Sequence, residues 1–305
     1  MMKSKDTLLL EIKSIAKQHE LLRAEKPVHP LISLHRFADI PQMEIQERTK
    51  LISYFYQISL KRECPCKLRY GQSNYDFDEG VMSFFSPKQI SIIEPGEMFP
   101  PAGWLLSIHP DFLNSYPLAQ KIKTYRFFEY AMNEALIMSK DEENTIDAIF
   151  KNIEKEYYLP IDNFSQDVLI ANIELLLTHC TRYYNRQIIS RKPANQTLLI
   201  KVEAILNAYF QNLENNGLPS AEFISSQLNF SAKYLSDCLK QLTGHGIQQH
   251  IHEKLIEKAK EQLGNTDFTV AEIAYNLGFG YPQSFNKLFK SKTKISPLAY
   301  RKSLN

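Results

Sequence analysis

The feature that most narrows what this chain can fold into is an internal repeat near its C-terminus. The segment Ala221 to Gly244 recurs as Val270 to Lys294. Ile224, Leu228 and Phe230 return 49 positions later as Ile273, Leu277 and Phe279. Beyond them the offset becomes 50, and Leu235, Leu239, Lys240 and Thr243 match Phe285, Phe289, Lys290 and Thr293. A one-residue slip inside a turn is what two copies of a helix-turn-helix tolerate. An α-solenoid also repeats, but it needs three or more units to bury its faces and only two are present.

Each copy makes sense as two short helices. In the first, Pro219-Ser220 starts a helix ending near Asn229, and Ser231 is placed to cap the next. That helix has an inward stripe of Leu235, Cys238, Leu239 and Leu242 at i, i+3, i+4, i+7, and Gly244 supplies the left-handed stop. In the second, Thr269 caps a helix with Val270, Ile273, Ala274 and Leu277 inward. Gly278 ends it at a turn that needs positive φ, and Pro282 suits the first turn of the following helix. Between the copies, residues 247–263 read as one helix with Ile251, Leu255, Ile256, Ala259 and Leu263 inward. Charge adds direction. From Tyr281 to Asn305 there are six cations (Lys287, Lys290, Lys292, Lys294, Arg301, Lys302) and no acid. Such a surface suits phosphate, against the alternative of a merely solvated helix face. Two recognition helices on a rigid connector would meet successive major-groove faces of double-stranded DNA, about 34 Å apart.

Residues 199–305 resemble the DNA-binding domain of the AraC/XylS family of transcription regulators. The second copy carries Ile273-Ala274, Gly278-Phe279, Phe285, Phe289-Lys290, Ser296-Pro297 and Tyr300-Arg301. The first matches at Leu228, Ser231, Tyr234-Leu235-Ser236 and Gly244, followed by Lys258-Ala259 and Leu263. There are departures. Lys294 stands where the family usually has glycine, so a strained or differently shaped turn is expected there, and Gly280 and Pro282 replace commoner polar residues. The resemblance implies a DNA-binding domain over residues 196–305 behind a sensor and dimerisation domain over 1–190, and hence a cytoplasmic homodimer. It also implies modulation through the N-terminal domain by a small-molecule effector, and contact with RNA polymerase where the protein activates.

The DNA-facing residues follow from which positions the core leaves outside. On the first recognition helix these are Ser231, Lys233, Ser236, Asp237, Lys240 and Gln241. On the second they are Tyr281, Gln283, Ser284, Asn286, Lys287 and Lys290, with Lys292 and Arg301 beyond. Gln283, Asn286 and Lys287 are expected to read base edges, and Lys290, Lys292 and Arg301 to hold phosphates. Asp237 fits DNA only by accepting from cytosine; a pairing with Lys233 or Lys240 on its own helix is the simpler role.

The remainder reads as α+β. Residues 6–24 have helical spacing (Leu8, Leu9, Ile12, Ile15, Ala16). Residues 30–115 carry short apolar runs, Leu31 to Leu34, Leu51 to Leu60, Val81 to Ser86 and Gln89 to Ile93, separated by turns at Ser73-Asn74, Asp78-Glu79-Gly80 and Pro95-Gly96. This texture predicts a small β-barrel or sandwich, placed like the family's cupin-like sensor. Helices follow over 117–190, one capped by Ser139 and Glu142, with a hinge near Ser190 to Asn195. Aromatics on the helices at 140–158 and 164–184 (Phe150, Tyr157, Tyr158, Phe164, Tyr183, Tyr184) exceed what a small barrel needs, which points to a partner subunit.

At 305 residues, with 44% apolar content and no aliphatic run longer than three, the chain suits two domains, with neither a secretory leader nor a membrane span expected. An enzyme is not expected and no cofactor is called for. His29, His35 and His109 are scattered, and His250 and His252 point about 200° apart on a helix, too divergent for one metal. Cys64-Pro65-Cys66 is too closely spaced for a zinc knuckle, which also disfavours a fused DNA-repair alkyltransferase. The four cysteines read as reduced thiols. No Gly-rich phosphate loop or serine elbow appears. The alternatives to a DNA-binding regulator are a cupin-type metal enzyme and a helical scaffold that binds no DNA.

Overall fold

The computed structural model describes residues 7–42, 46–62, 69–70, 73–74, 80–96, 100–131, 134–190, 192–211 and 217–304; of 69–70, 73–74 and 192–196 only the backbone is described. The chain is α+β and divides into two units, Met1–Gln187 and Ile188–Asn305.

The first unit begins with strand β1 (Leu8–Ile12) and helix α1 (Ile15–Leu21), where the sequence suggested one helix. Ser14 N-caps α1 by accepting from Lys17 N at 3.2 Å, so the helix starts late. The leucine run before it satisfies a strand as well as a helix, and pairing decides: β1 lies parallel to β3 (Thr49–Ser53), with Leu8 opposite Thr49. The expected strand over Leu51 to Leu60 is two strands, β3 and β4 (Tyr56–Arg62). At the break Tyr54 N donates to Ile12 O (3.0 Å), Phe55 is fully buried, and the chain crosses from one sheet to another.

The first sheet has the order β1-β3-β8, with β8 at Ile90–Ile93. The second has five strands in the order β10-β7-β4-β9-β2, where β2 is Ile32–Arg36, β7 Val81–Phe85, β9 Ala102–Ile108 and β10 Leu136–Ile137. β9 was not anticipated. Ser73-Asn74, expected as a turn, is strand β6, paired with β5 (Arg69–Tyr70). Cys64, Cys66 and Asp78-Glu79 lie outside the described residues.

Strand alternation gives the five-stranded sheet two unlike faces. Ile32, Leu34, Ile58, Leu60, Met82, Leu106 and Ile108 share one, all 2% exposed or less, and it is covered by helices. Trp104 stacks on Phe150 of α3 (Lys140–Tyr158) with ring centroids 5.7 Å apart, and its indole N–H donates to Asp147 at 2.8 Å. Cys180 of α4 (Ser165–Ser190) reaches Met82 at 3.7 Å. The capping box expected at the start of α3 is formed: Ser139 accepts from Glu142 N while Glu142 accepts from Ser139 N.

The second unit is helical: α5 (Lys192–Gln211), α6 (Ala221–Gln227), α7 (Ala232–Thr243), α8 (Ile247–Asn265), α9 (Val270–Asn276), α10 (Pro282–Thr293) and α11 (Pro297–Lys302). Around the polar stretch at Ser190 to Asn195, α4 runs to Ser190 and α5 starts at Lys192, with Pro193 in its first turn, where a missing N–H costs nothing. No helix among the described residues is long and apolar enough to cross a membrane.

Candidate nucleic-acid interface

The repeat seen in the sequence is reproduced hydrogen bond by hydrogen bond. Between α6 and α7, Phe230 N donates to Ser225 O at 3.0 Å; between α9 and α10, Phe279 N donates to Ala274 O at 2.9 Å. Both turns pivot on one left-handed residue, Asn229 (φ 57°) and Gly278 (φ 90°). Asparagine tolerates this region better than other side chains do, so the first copy manages without glycine. The second copy cannot. A Cβ at Gly278 would lie 2.1 Å from the Gly217 carbonyl oxygen.

The ends of the recognition helices α7 and α10 match as well. Gly244 N donates to Lys240 O and Lys294 N to Lys290 O, each at 2.9 Å. Gly244 has φ 81° and Lys294 φ 70°, so lysine adopts the shape glycine would have taken. The hydroxyls of Thr243 and Thr293 reach equivalent carbonyls, Leu239 O at 2.9 Å and Phe289 O at 2.8 Å.

Burial orients the two recognition helices. α7 turns Tyr234, Leu235, Cys238 and Leu239 inward, and α10 turns Phe285 and Phe289 inward. Phe279, Phe285, Phe289 and Tyr300 form a chain of rings with centroids 5.5–5.7 Å apart, a packing role rather than a stacking surface for bases.

The candidate contact residues fall into distinct groups. Lys233, Lys240 and Gln241 are exposed on α7, whereas Ser231, Ser236 and Asp237 are half-buried. Ser231 is the N-cap, accepting from Tyr234 N at 3.2 Å. Ser236 packs against Gly246, where an added Cβ would come within 2.7 Å of its hydroxyl. Tyr281 (72% exposed), Gln283, Ser284, Asn286, Lys287, Lys290 and Lys292 are all exposed, giving α10 an outer face without an acid. Lys290 and Lys292 sit in its last turn, where the helix dipole favours cations.

Several of these side chains have intramolecular partners. Asn286 Nδ2 donates to Pro282 O at 3.1 Å, and Lys292 Nζ to Gln249 Oε1 of α8 at 2.7 Å. Arg301 is placed unlike the other cations. It is half-buried, and its guanidinium donates to Leu263 O (3.1 Å) and Thr266 O (3.5 Å), satisfying carbonyls at the end of α8 that the helix leaves open. Its charge lies on the surface, but its N–H groups serve the fold. Sequence reasoning did not single out Tyr275, which is 58% exposed on α9. Its counterpart 49 positions earlier is Ser226, so the repeat carried no signal for it.

Among the described residues no cluster of three or more His, Cys, Asp or Glu could hold a metal ion.

A family model described as a helix-turn-helix domain matches residues 224–303. Among curated proteins, Regulatory protein PocR of Salmonella typhimurium is 32% identical over 84 residues, 28% of this chain and 28% of that protein. The HTH-type transcriptional activator RhaS of Salmonella paratyphi B is 29% identical over 130 residues, 42% of this chain and 45% of that one. The matches thus span less than half the length of these relatives. Among solved structures, the C-terminal domain of the two-component response regulator yesN from Fusobacterium nucleatum shares 29% identity over 33% of this chain and 93% of its own, with a TM-score of 0.29. An AraC-type DNA-binding domain-containing regulator from Chromobacterium violaceum shares 19% over 36% of this chain and 96% of its own, with a TM-score of 0.31. With its two helix-turn-helix copies and the family model matched over residues 224–303, the C-terminal region of this chain is a helix-turn-helix domain.

Proposed function

We propose that this chain is a sequence-specific DNA-binding transcription regulator that inserts α7 and α10 into successive major-groove faces. The observation that carries the reading is the paired architecture: two turns closed by equivalent hydrogen bonds, each presenting an exposed polar helix face over an apolar core, within the region matched by the helix-turn-helix family. Gln283, Asn286 and Lys287 lie in the first half of α10, the part of a recognition helix that meets base edges. Lys240 and Lys290 occupy equivalent places near the ends of the two helices and suit the flanking phosphates.

The first unit supplies regulation and assembly in this reading. Most aromatics of α3 and α4 are used by its own core: Phe150, Tyr157, Tyr183 and Tyr184 are buried. What remains outside is concentrated at the α3–α4 junction, where Tyr158, Ile161 and Phe164 are 63–68% exposed beside Leu159 and Val168. A contiguous apolar patch of this kind favours a second copy of the chain over water.

The experiment is a salt titration of binding to DNA selected from a random pool. Neutralising several phosphates makes log K fall linearly with log salt, and a preferred sequence should bind at least a thousandfold more tightly than unrelated DNA. Binding without sequence preference, or without salt dependence, overturns the proposal.

A further inference from the structure

The two helix-turn-helix copies meet at a place that their repeat does not require. Along the chain they are joined by α8, which runs between the end of α7 and the start of α9. A second connection bypasses that helix. Gly217, on the way from α5 to α6, lies against the turn of the other copy: a Cβ on Gly278 would stand 2.1 Å from Gly217 O, 2.3 Å from its carbonyl carbon and 3.0 Å from its Cα. Backbone therefore rests on backbone, and the approach exists because Gly278 has no side chain. A left-handed turn alone does not ask for this. Gly244 has φ 81° and would have nothing within 4 Å of its Cβ.

Tyr209 holds the contact from α5. Leu198, Val202 and Leu206 are the buried stripe of that helix, and Tyr209 follows Leu206 at i+3, so its side chain leaves on the same face. The ring meets that of Phe223 on α6 edge-on, with centroids 5.2 Å apart, and the hydroxyl donates to Gly217 O at 3.2 Å. That oxygen is also the atom nearest the absent Cβ of Gly278. One side chain thus grips the first copy with its ring and reaches the turn of the second through a single carbonyl. The turn it reaches is the one that aims α10, closed by the bond from Phe279 N to Ala274 O. Two bodies joined by one helix keep a twist about that helix; a second contact away from its axis removes it.

We infer that Tyr209, acting through Gly217, is a positioning residue that locks the angle between α7 and α10 and so holds the protein to one spacing of its two DNA segments. The DNA consequence rests on the regulator reading; the lock itself rests on the contact among Tyr209, Gly217 and Gly278. Its strength is bounded by what one hydrogen bond adds, about 2- to 12-fold in an equilibrium. Spacing is sensitive to such an angle. One added base pair turns the second segment by about 34° around the duplex and moves it about 3.4 Å along the axis.

The test compares the full chain with Tyr209→Phe, which keeps the ring on Phe223 and loses the donor. Without DNA, amide hydrogen exchange at Gly278 and Phe279 should quicken about 2- to 12-fold in the variant, while Phe230, whose amide closes the equivalent turn of the first copy, keeps its rate. Quickening at both turns, or at neither, would overturn the lock. Binding is then measured on the selected DNA, on the same DNA with one base pair added or removed between the two contacted segments, and on DNA keeping only one segment. The unmodified protein should prefer the selected spacing by about tenfold or more. In the variant that preference should shrink by about 2- to 12-fold, with affinity for single-segment DNA unchanged. An undiminished preference, or an equal loss on every DNA, would overturn the positioning role. If the unmodified protein shows no sequence-specific binding, the regulator reading fails, and the exchange rates still decide the lock.

Discussion

Replacing Gly278 by alanine isolates what the second helix-turn-helix demands of its turn. At φ 90° a side chain is strained, at a cost of about 1–2 kcal/mol. The larger effect is steric: the new Cβ would sit 2.1 Å from Gly217 O and 2.3 Å from Gly217 C, both backbone atoms that cannot rotate away. Moving them also disturbs the bond that Tyr209 donates to Gly217 O at 3.2 Å. Overpacking of this kind adds about 1–3 kcal/mol. Gly244→Ala is the control, because Gly244 has φ 81° but nothing within 4 Å of the new Cβ. The difference between the two variants should therefore be about 1–3 kcal/mol, which is roughly 5- to 150-fold in an opening equilibrium. Amide hydrogen exchange in α9 and α10 reads it directly. Equal exchange rates in the two variants would refute the claim that close backbone approach, rather than left-handed strain alone, fixes glycine there.

Other consequences concern DNA, pH and assembly. Asn286→Ala should cost about 1–3 kcal/mol against the selected site and little against unrelated DNA, whereas Lys290→Ala should weaken both alike and lower the salt slope by about one, as read by fluorescence anisotropy. His35 has a folded-state pKa of about 4, below its ordinary 6.5, so the unfolded chain takes up the proton first. Its contribution to stability is intact above pH 6.5 and falls away between about 6.5 and 4, by on the order of 2 kcal/mol after discounting for partial exposure. Urea unfolding followed at Trp104 should show His35→Gln losing less stability than the unmodified protein between pH 7 and pH 4.5; parallel losses would exclude His35 as the cause. Ile161→Asp with Phe164→Asp should convert a dimer to monomer in sedimentation at tens of micromolar. A sedimentation coefficient unchanged by the pair would remove the α3–α4 patch as the interface.

The two units were unequally legible in the sequence. In the second, local signals and tertiary structure agree: Ser220, Ser231 and Thr269 cap where their hydroxyls suggest, and the helical stripes are the buried ones. At Lys294 the sequence suggests a strained or differently shaped turn; the shape is that of Gly244, left-handed, with a side chain attached. Arg301 was harder, because its charge is visible in sequence while the open carbonyls at the end of α8 that it serves are not. In the first unit, pairing overrides propensity. Leu8 to Ile12 becomes a strand because β3 offers an edge, and the run from Leu51 to Leu60 breaks where Phe55 enters the core.

The most direct test of the central claim is a map of major-groove contacts by the full chain on its selected DNA, obtained by methylation interference with the unmodified protein and with α7 and α10 variants. Two interfering segments should appear on one face of the duplex, centred about one helical turn apart (~10.5 base pairs). Lys233→Ala with Gln241→Ala should weaken only one of them, and Gln283→Ala with Asn286→Ala only the other. A single segment lost in both sets of variants would contradict insertion of two recognition helices.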